Sequence, residues 1–173
     1  MIHASLSPGI DPRDDPRAFR DALGAFPTGV CVVTCLGAGG PVGITANSFA
    51  SLSLSPPLIL WSPSKHSRRG DVYARADRFA LHVLAADQED VARAFVKDGQ
   101  AFGAGAQELD GLPLLAGCAA RFVCDTHSVL DGGDHHLILG EVRRVEHRDT
   151  APLVFANGSY ARLASPSAGA RAT

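Results

Sequence analysis

The chain has 173 residues, of which 46% are hydrophobic and 20% charged, with a formal net charge of −2. That is enough apolar material for one core-forming domain, and it excludes a mainly disordered chain. The near-balanced charge excludes the basic field that would hold a nucleic-acid backbone.

No apolar run reaches the roughly 20 residues that cross a bilayer. The opening MIHASLSPGIDPRDDP carries neither the basic nor the apolar region of a secretory leader, so a cytoplasmic protein is expected. Residues 1–15 read as a flexible arm, 16–163 as the folded domain and 164–173 as a flexible tail. Asp15 and Pro16 form a helix start, and Phe19, Leu23 and Phe26 follow at helical spacing until Pro27 and Gly29 end the pattern. VCVVTC (30–35) reads as a buried strand, and 42–46 and 58–61 as further strands separated by a serine-rich, proline-broken stretch. A polar loop, 62–70, leads into a short helix near 70–76 and a strand at 78–84. Asp87 is the expected cap of a helix carrying Val91 and Phe95. Gly99–Gly111 reads as a long connection. Two long strands, 118–130 and 135–147, flank the hairpin-turn tetrapeptide Asp131-Gly132-Gly133-Asp134, and PLVFANGSY completes the domain. Many strands, short turns and few helices predict a mainly β protein, an antiparallel barrel with ligand sites at its rim or at a subunit interface.

Phosphate-loop signatures fail on context. Gly103-Ala104-Gly105 lacks a third glycine and follows a helix, and no P-loop sequence is present. Cys31, Cys35, Cys118 and Cys124 form no C-x-x-C pair and are expected as buried free thiols. His135 and His136 alternate across a strand, so they cannot readily chelate one ion. His127 and His135 flank the hairpin turn as prospective cross-strand neighbours, and no local carboxylate or cysteine completes a zinc set. No bound metal is expected.

The hydroxyl-rich run TANSFASLSLSPPLILWSPSKHSRRG is more informative. Its hydroxyls serve equally as loop hydrogen bonds or as a cradle for an acceptor-rich ligand with a phosphate, which Ser67 with Lys65 or Arg68 would bind.

FRDALGAFPTGVCVVT and VGITANSFASLSLSPPL, with RFALHVLAADQEDVARAF, GLPLL, GDHHLILGEV and PLVFANGSY, resemble the flavin reductase family of the FMN-binding split β-barrel fold. The resemblance covers about residues 17–163. It implies a Greek-key-like split barrel with a few flanking helices, homodimeric, reducing FMN or FAD with NADH or NADPH. It further implies a separate flavin-dependent monooxygenase served through free reduced flavin. Carried over by position, it assigns Thr45, Ala46, Asn47 and Ser48, with Phe49 and Ser51 beyond them, to the flavin ring and ribityl chain. Ser62, Lys65, Ser67 and Arg68 fall to the phosphate, Gly158 and Tyr160 to a second wall, and His135 of Gly133-Asp134-His135 to the nicotinamide side as the catalytic-site histidine. Two other readings share the fold: an FMN-dependent oxidase of the pyridoxamine-phosphate type, and a non-catalytic flavin- or haem-binding module.

Overall fold

A computed structural model describes residues 9–103 and 107–163. The expected arm up to residue 8, Ala104 to Ala106 of the glycine-containing connection, and the tail from 164 lie outside the described residues.

The chain opens with α1 (Pro16–Gly24), where the Asp15 carboxylate accepts from the amides of Arg17 at 3.1 Å and Ala18 at 2.9 Å, as its capping position requires. Then come β1 (Thr28–Gly29), β2 (Cys31–Gly37), β3 (Gly40–Ala46), β4 (Ala50–Leu54), β5 (Pro57–Trp61), α2 (Gly70–Arg75) and β6 (Arg78–Val83). α3 (Glu89–Lys97), β7 (Gln107–Leu109), β8 (Leu112–Leu114), β9 (Ala120–Gly132), β10 (His135–His147), β11 (Leu153–Ala156) and β12 (Ser159–Arg162) complete it.

Seven strands form one antiparallel sheet in the order β3-β2-β6-β9-β10-β5-β4. Its two edge strands, β3 and β4, are consecutive in sequence and separated only by Asn47, Ser48 and Phe49. Four steps of about 3.6 Å cover only about 14 Å. A flat sheet would hold its edges six spacings of about 4.8 Å apart, about 29 Å. The sheet must therefore curl until its edges meet, with Asn47–Phe49 bridging the seam.

Side-chain alternation fills the curled sheet. Cys31, Val33 and Cys35 of β2 point inward to Ile59, Trp61, Phe79, Leu81, Cys124 and Ile138, with Tyr73 of α2 closing one end. The opposite parity, Val30 and Val32, packs outward against Phe95 and Ala92 of α3, and against Leu84, Leu115 and Leu153. β2 is thus covered on both faces, which is why VCVVTC is continuously apolar rather than alternating. β1, β11 and β12 make a small second sheet beside this outer layer.

Four expectations need correction. The serine-rich stretch contains β4, an edge strand paired only with β5, with a register shift between Ser51 and Ser53 and with Leu52 and Leu54 exposed. The connection before Gly111 contains β7, paired with β8 through a turn in which Asp110 and Gly111 take positive φ angles of 51° and 81°. Asp87 does not cap α3; Gln88 occupies that position, and its side chain bonds the Ala85 amide and the Ala116 carbonyl instead. His127 falls in a β-bulge while His135 pairs with Gly132, so those two histidines are not cross-strand neighbours.

Candidate functional site

Three clefts meet at the seam. A cleft of about 220 Å³ lies between Ile44–Ser48 on one side and Trp61–Ser64, Ser67 and His135 on the other. A second, of about 170 Å³, has Thr45, Ala46 and Asn47 facing Val96, Phe155 and Tyr160. A third, of about 610 Å³, runs from Asn47 past Thr28 and Gly158 to Leu23 and Phe26. Asn47 borders all three. Among the described residues its amide makes no intramolecular hydrogen bond.

Its neighbours are held in place. The Thr45 hydroxyl donates to the Ala92 carbonyl of α3 at 2.7 Å. The Ser48 hydroxyl donates to the Ser62 carbonyl at 3.1 Å and accepts from the Ser62 amide at 3.0 Å, so a side chain supplies the pairing that the broken sheet lacks. Arg69 reinforces the same wall, donating to the carbonyls of Gly43 at 2.9 Å, Phe95 at 2.7 Å and Val96 at 3.1 Å. Its cation therefore sits on the exposed carbonyls ending α3, where the helix dipole favours positive charge. The sequence hid this role, since SRRG reads only as a basic loop.

The remaining sequence-derived candidates divide. Ser67 lies between the 220 Å³ cleft and one of about 600 Å³ that carries His66, Arg68, Arg69 and Lys97. Gly158, with φ at 74°, turns β11 into β12 beside the third cleft. Tyr160 stacks edge-on to Phe155 at 5.4 Å, with the Arg93 guanidinium 4.8 Å above its ring. Phe49 turns away, its ring 5.6 Å from Phe122, and Ser51 is exposed on β4 and borders none of these clefts. The Lys65 ammonium contacts Asp131 at 2.5 Å and the Gly133 carbonyl at 2.6 Å, and it too borders none of the clefts.

His135 stands at the start of β10 with Nδ1 2.7 Å from an Asp134 oxygen. A carboxylate only accepts, so Nδ1 carries the proton and Nε2 is left free. The imidazole beside it holds the Asp134 carboxyl below the usual range. His136 points elsewhere, its Nε2 3.4 Å from Asp71 of α2.

The donor set suits a flavin nucleotide. The buried Thr28 hydroxyl beside the third cleft is unpartnered, and among the described residues the Asn47 amide at the seam makes no hydrogen bond. These are donors for ring carbonyls and nitrogens, and Arg68 and Lys97 beside Ser67 supply charge for a phosphate. Among the described residues no three His, Cys, Asp or Glu side chains converge on a metal-sized site. All four cysteines are buried free thiols, and burial pushes Cys31, Cys35 and Cys124 up to about 12 and Cys118 to about 11, so none is poised as a nucleophile.

Residues 23–164 match the flavin reductase like domain, and the chain belongs to that family. It is 48% identical over 152 residues to the FMN reductase (NADH) SmoA of Agrobacterium fabrum, covering 87% of each chain. It is 42% identical over 151 residues to HsaB of Rhodococcus jostii, a flavin-dependent monooxygenase reductase subunit, covering 84% of this chain and 77% of that one. Its fold superposes with a TM-score of 0.84 on the Streptomyces globisporus NADH:FAD oxidoreductase SgcE6 in complex with NAD and FAD fragments, at 36% identity over 93% of this chain and 99% of that one. Some other relatives are longer, and the chain spans about half (48%) of their length. No helix among the described residues is long and apolar enough to cross a membrane.

Proposed function

We propose that the chain is an NAD(P)H:flavin oxidoreductase that reduces FMN or FAD and releases reduced flavin to a separate monooxygenase. The observation that carries this reading is the unpaired Asn47 amide at the meeting point of three seam clefts, with His135 across the first. The FMN reductase (NADH) relative and the NAD- and FAD-bearing neighbour support NADH as the first donor to test, and the HsaB likeness supports an oxygenase consumer.

Flavin, when bound, supplies the hydride acceptor, and the transfer needs donor and acceptor rings stacked about 3–3.5 Å apart. The residues of the chain have the simpler task of position. Asn47, with the backbone of Thr45–Ser48, binds the ring edge, and Ser67 and Arg68 bind the phosphate. His135, its ring fixed by Asp134, orients the nicotinamide through Nε2. No general base is needed, because NADH and a proton convert flavin to reduced flavin and NAD⁺. The exposed apolar stripe Phe19, Leu23 and Phe26, at 47%, 59% and 76%, with Leu52 and Leu54 on β4, supports a second copy covering the seam as a homodimer. Buried free thiols accord with a cytoplasmic setting. NADH and NADPH oxidation assays with FMN, FAD or no added flavin test the reading. Flavin-dependent turnover is expected, and its absence with both donors and both flavins would overturn it.

A further inference from the structure

The tip of the β9–β10 hairpin needs outside support. β5 pairs with β10 only from Ile138 to Glu141, leaving His135, His136 and Leu137 beyond that ladder. The turn depends on Gly133 at a φ of 76°, a conformation that other residues rarely adopt. Support comes from the loop after β5. Ser64 bridges His135, the Lys65 amide donates to the Asp134 carbonyl at 2.9 Å, and the His136 amide donates to the Pro63 carbonyl at 3.0 Å. Beyond this bridge the Lys65 side chain reaches around the turn. Its ammonium donates to Asp131 at 2.5 Å and to the Gly133 carbonyl at 2.6 Å, gripping both sides of the glycine.

We propose that Lys65 is a positioning residue for the nicotinamide half of the reaction, holding the Gly133-Asp134-His135 turn so that the His135 ring faces the seam cleft, and that it is not a phosphate ligand. The inference rests on the flavin reductase reading above. Lys65 is 29% exposed with both anchors protein groups, and reaching a phosphate beside Ser67 would require it to release both. The Asp131 carboxyl is held below the usual range by that ammonium, and it also accepts from the Gly133 amide at 3.0 Å, so lysine, aspartate and turn backbone close one ring of contacts. A geometry error of about 1 Å at a reacting group can cost up to a hundredfold in rate. A turn loosened but still paired through Ser64 and the Lys65 amide should lose less.

The test uses the full chain carrying Lys65→Met, Lys65→Arg or Asp131→Asn. Affinities for FMN and for riboflavin, which lacks the phosphate, are measured by fluorescence titration, and KM and kcat for NADH at saturating FMN. Lys65→Met is expected to raise the KM for NADH about three- to tenfold while both flavin affinities stay within about twofold of the parent. Lys65→Arg should restore most of the loss. Asp131→Asn, altering a side chain 79% exposed and so safe for folding, should shift KM in the same direction by less. A Lys65→Met protein that loses FMN selectively over riboflavin would make Lys65 a phosphate ligand and overturn the proposal. Unchanged NADH kinetics in both Lys65→Met and Asp131→Asn would overturn it as well. A parent protein with no flavin-dependent NADH oxidation would instead sink the functional reading, and this inference with it.

Discussion

His82 lies fully enclosed on β6, its Nδ1–H donating to the Val32 carbonyl at 3.0 Å and its Nε2 accepting from the Leu115 amide at 3.2 Å. Both nitrogens are used by the neutral ring, so a second proton would break the Leu115 bond inside the core. Burial, opposed by the Val32 bond and reinforced by the Arg121 charge, pulls its pKa down from 6.5 to about 3. The sign follows from linkage. Between about pH 6.5 and 3 the unfolded chain takes up a proton that the folded one refuses, so stability falls as pH drops through that window and is flat for this group above it. Asp131 and Asp134, held below 3.8 in the fold, add a further loss only as pH falls below about 3.8, where the unfolded chain takes up protons that the folded carboxylates still refuse. Urea unfolding at about pH 7 and about pH 4.5 should therefore show a loss for the parent that is much reduced in His82→Gln, although that variant starts less stable. An equal loss in both proteins would remove His82 from the account.

Asn47 and His135 separate the two halves of the site. Losing one neutral hydrogen bond costs on the order of 0.5–1.5 kcal/mol, up to about tenfold in affinity. Asn47→Ala is expected to weaken flavin binding several-fold. His135→Ala should leave flavin binding near the parent value and raise KM for the nicotinamide or slow reduction. Flavin titration followed by NADH kinetics at saturating flavin checks both, and a His135→Ala protein that loses flavin yet turns over normally once it is restored contradicts the assignment.

At the scale of elements, α3 is the brace behind β3, the edge strand that the proposed site uses. Thr45 and Arg69 hold it by hydrogen bonds, and the Phe95 ring packs closely against Gly43 of β3. A methyl group at position 43 would sit 2.3 Å from the Phe95 ring, which is itself fully buried and wedged against Phe102 at 5.1 Å. Gly43→Ala should therefore destabilise by about 1–3 kcal/mol, as overpacked core positions do. It should also weaken flavin binding, because β3 and α3 can separate only by moving Thr45–Ser48. A thermal melt paired with a flavin titration reads both effects, and a loss of stability with unaltered flavin affinity would uncouple α3 from the site.

Elements with local chemical punctuation were legible in the sequence. Asp15-Pro16 marks the start of α1, and Asp131-Gly132-Gly133-Asp134 marks the hairpin joining β9 to β10. β4 was missed although ASLSL alternates apolar and polar residues, because its serines and the Ser55-Pro56-Pro57 that follows read as loop chemistry. In the site, the run Thr45–Ser48 and His135 could be located by their resemblance to a family pattern. Lys65 and Arg69 could not be understood that way, because a basic residue in a polar loop reads the same whether its charge meets a ligand, a turn or the end of a helix.

For the whole molecule, the three-residue link between the two sheet edges dictates both the curl of the sheet and the place of the clefts. The apolar residues left outside that curl, Phe19 and Leu23 on α1, Phe26 just beyond it, and Leu52 and Leu54 on β4, call for a cover. Sedimentation equilibrium should give twice the chain mass of 18.0 kDa, and a fully active monomer would contradict the homodimer.

Flavin reduction followed without oxygen tests the central claim most directly. Purified protein is mixed anaerobically with NADH and an excess of free FMN or FAD, and flavin bleaching is recorded alongside NADH loss. One reduced flavin per NADH consumed is expected, continuing for many turnovers per chain, with the bleached flavin passing through a filter that retains the protein. Bleaching that stops at one flavin per chain, or NADH that persists with either flavin, would contradict a reductase that releases reduced flavin.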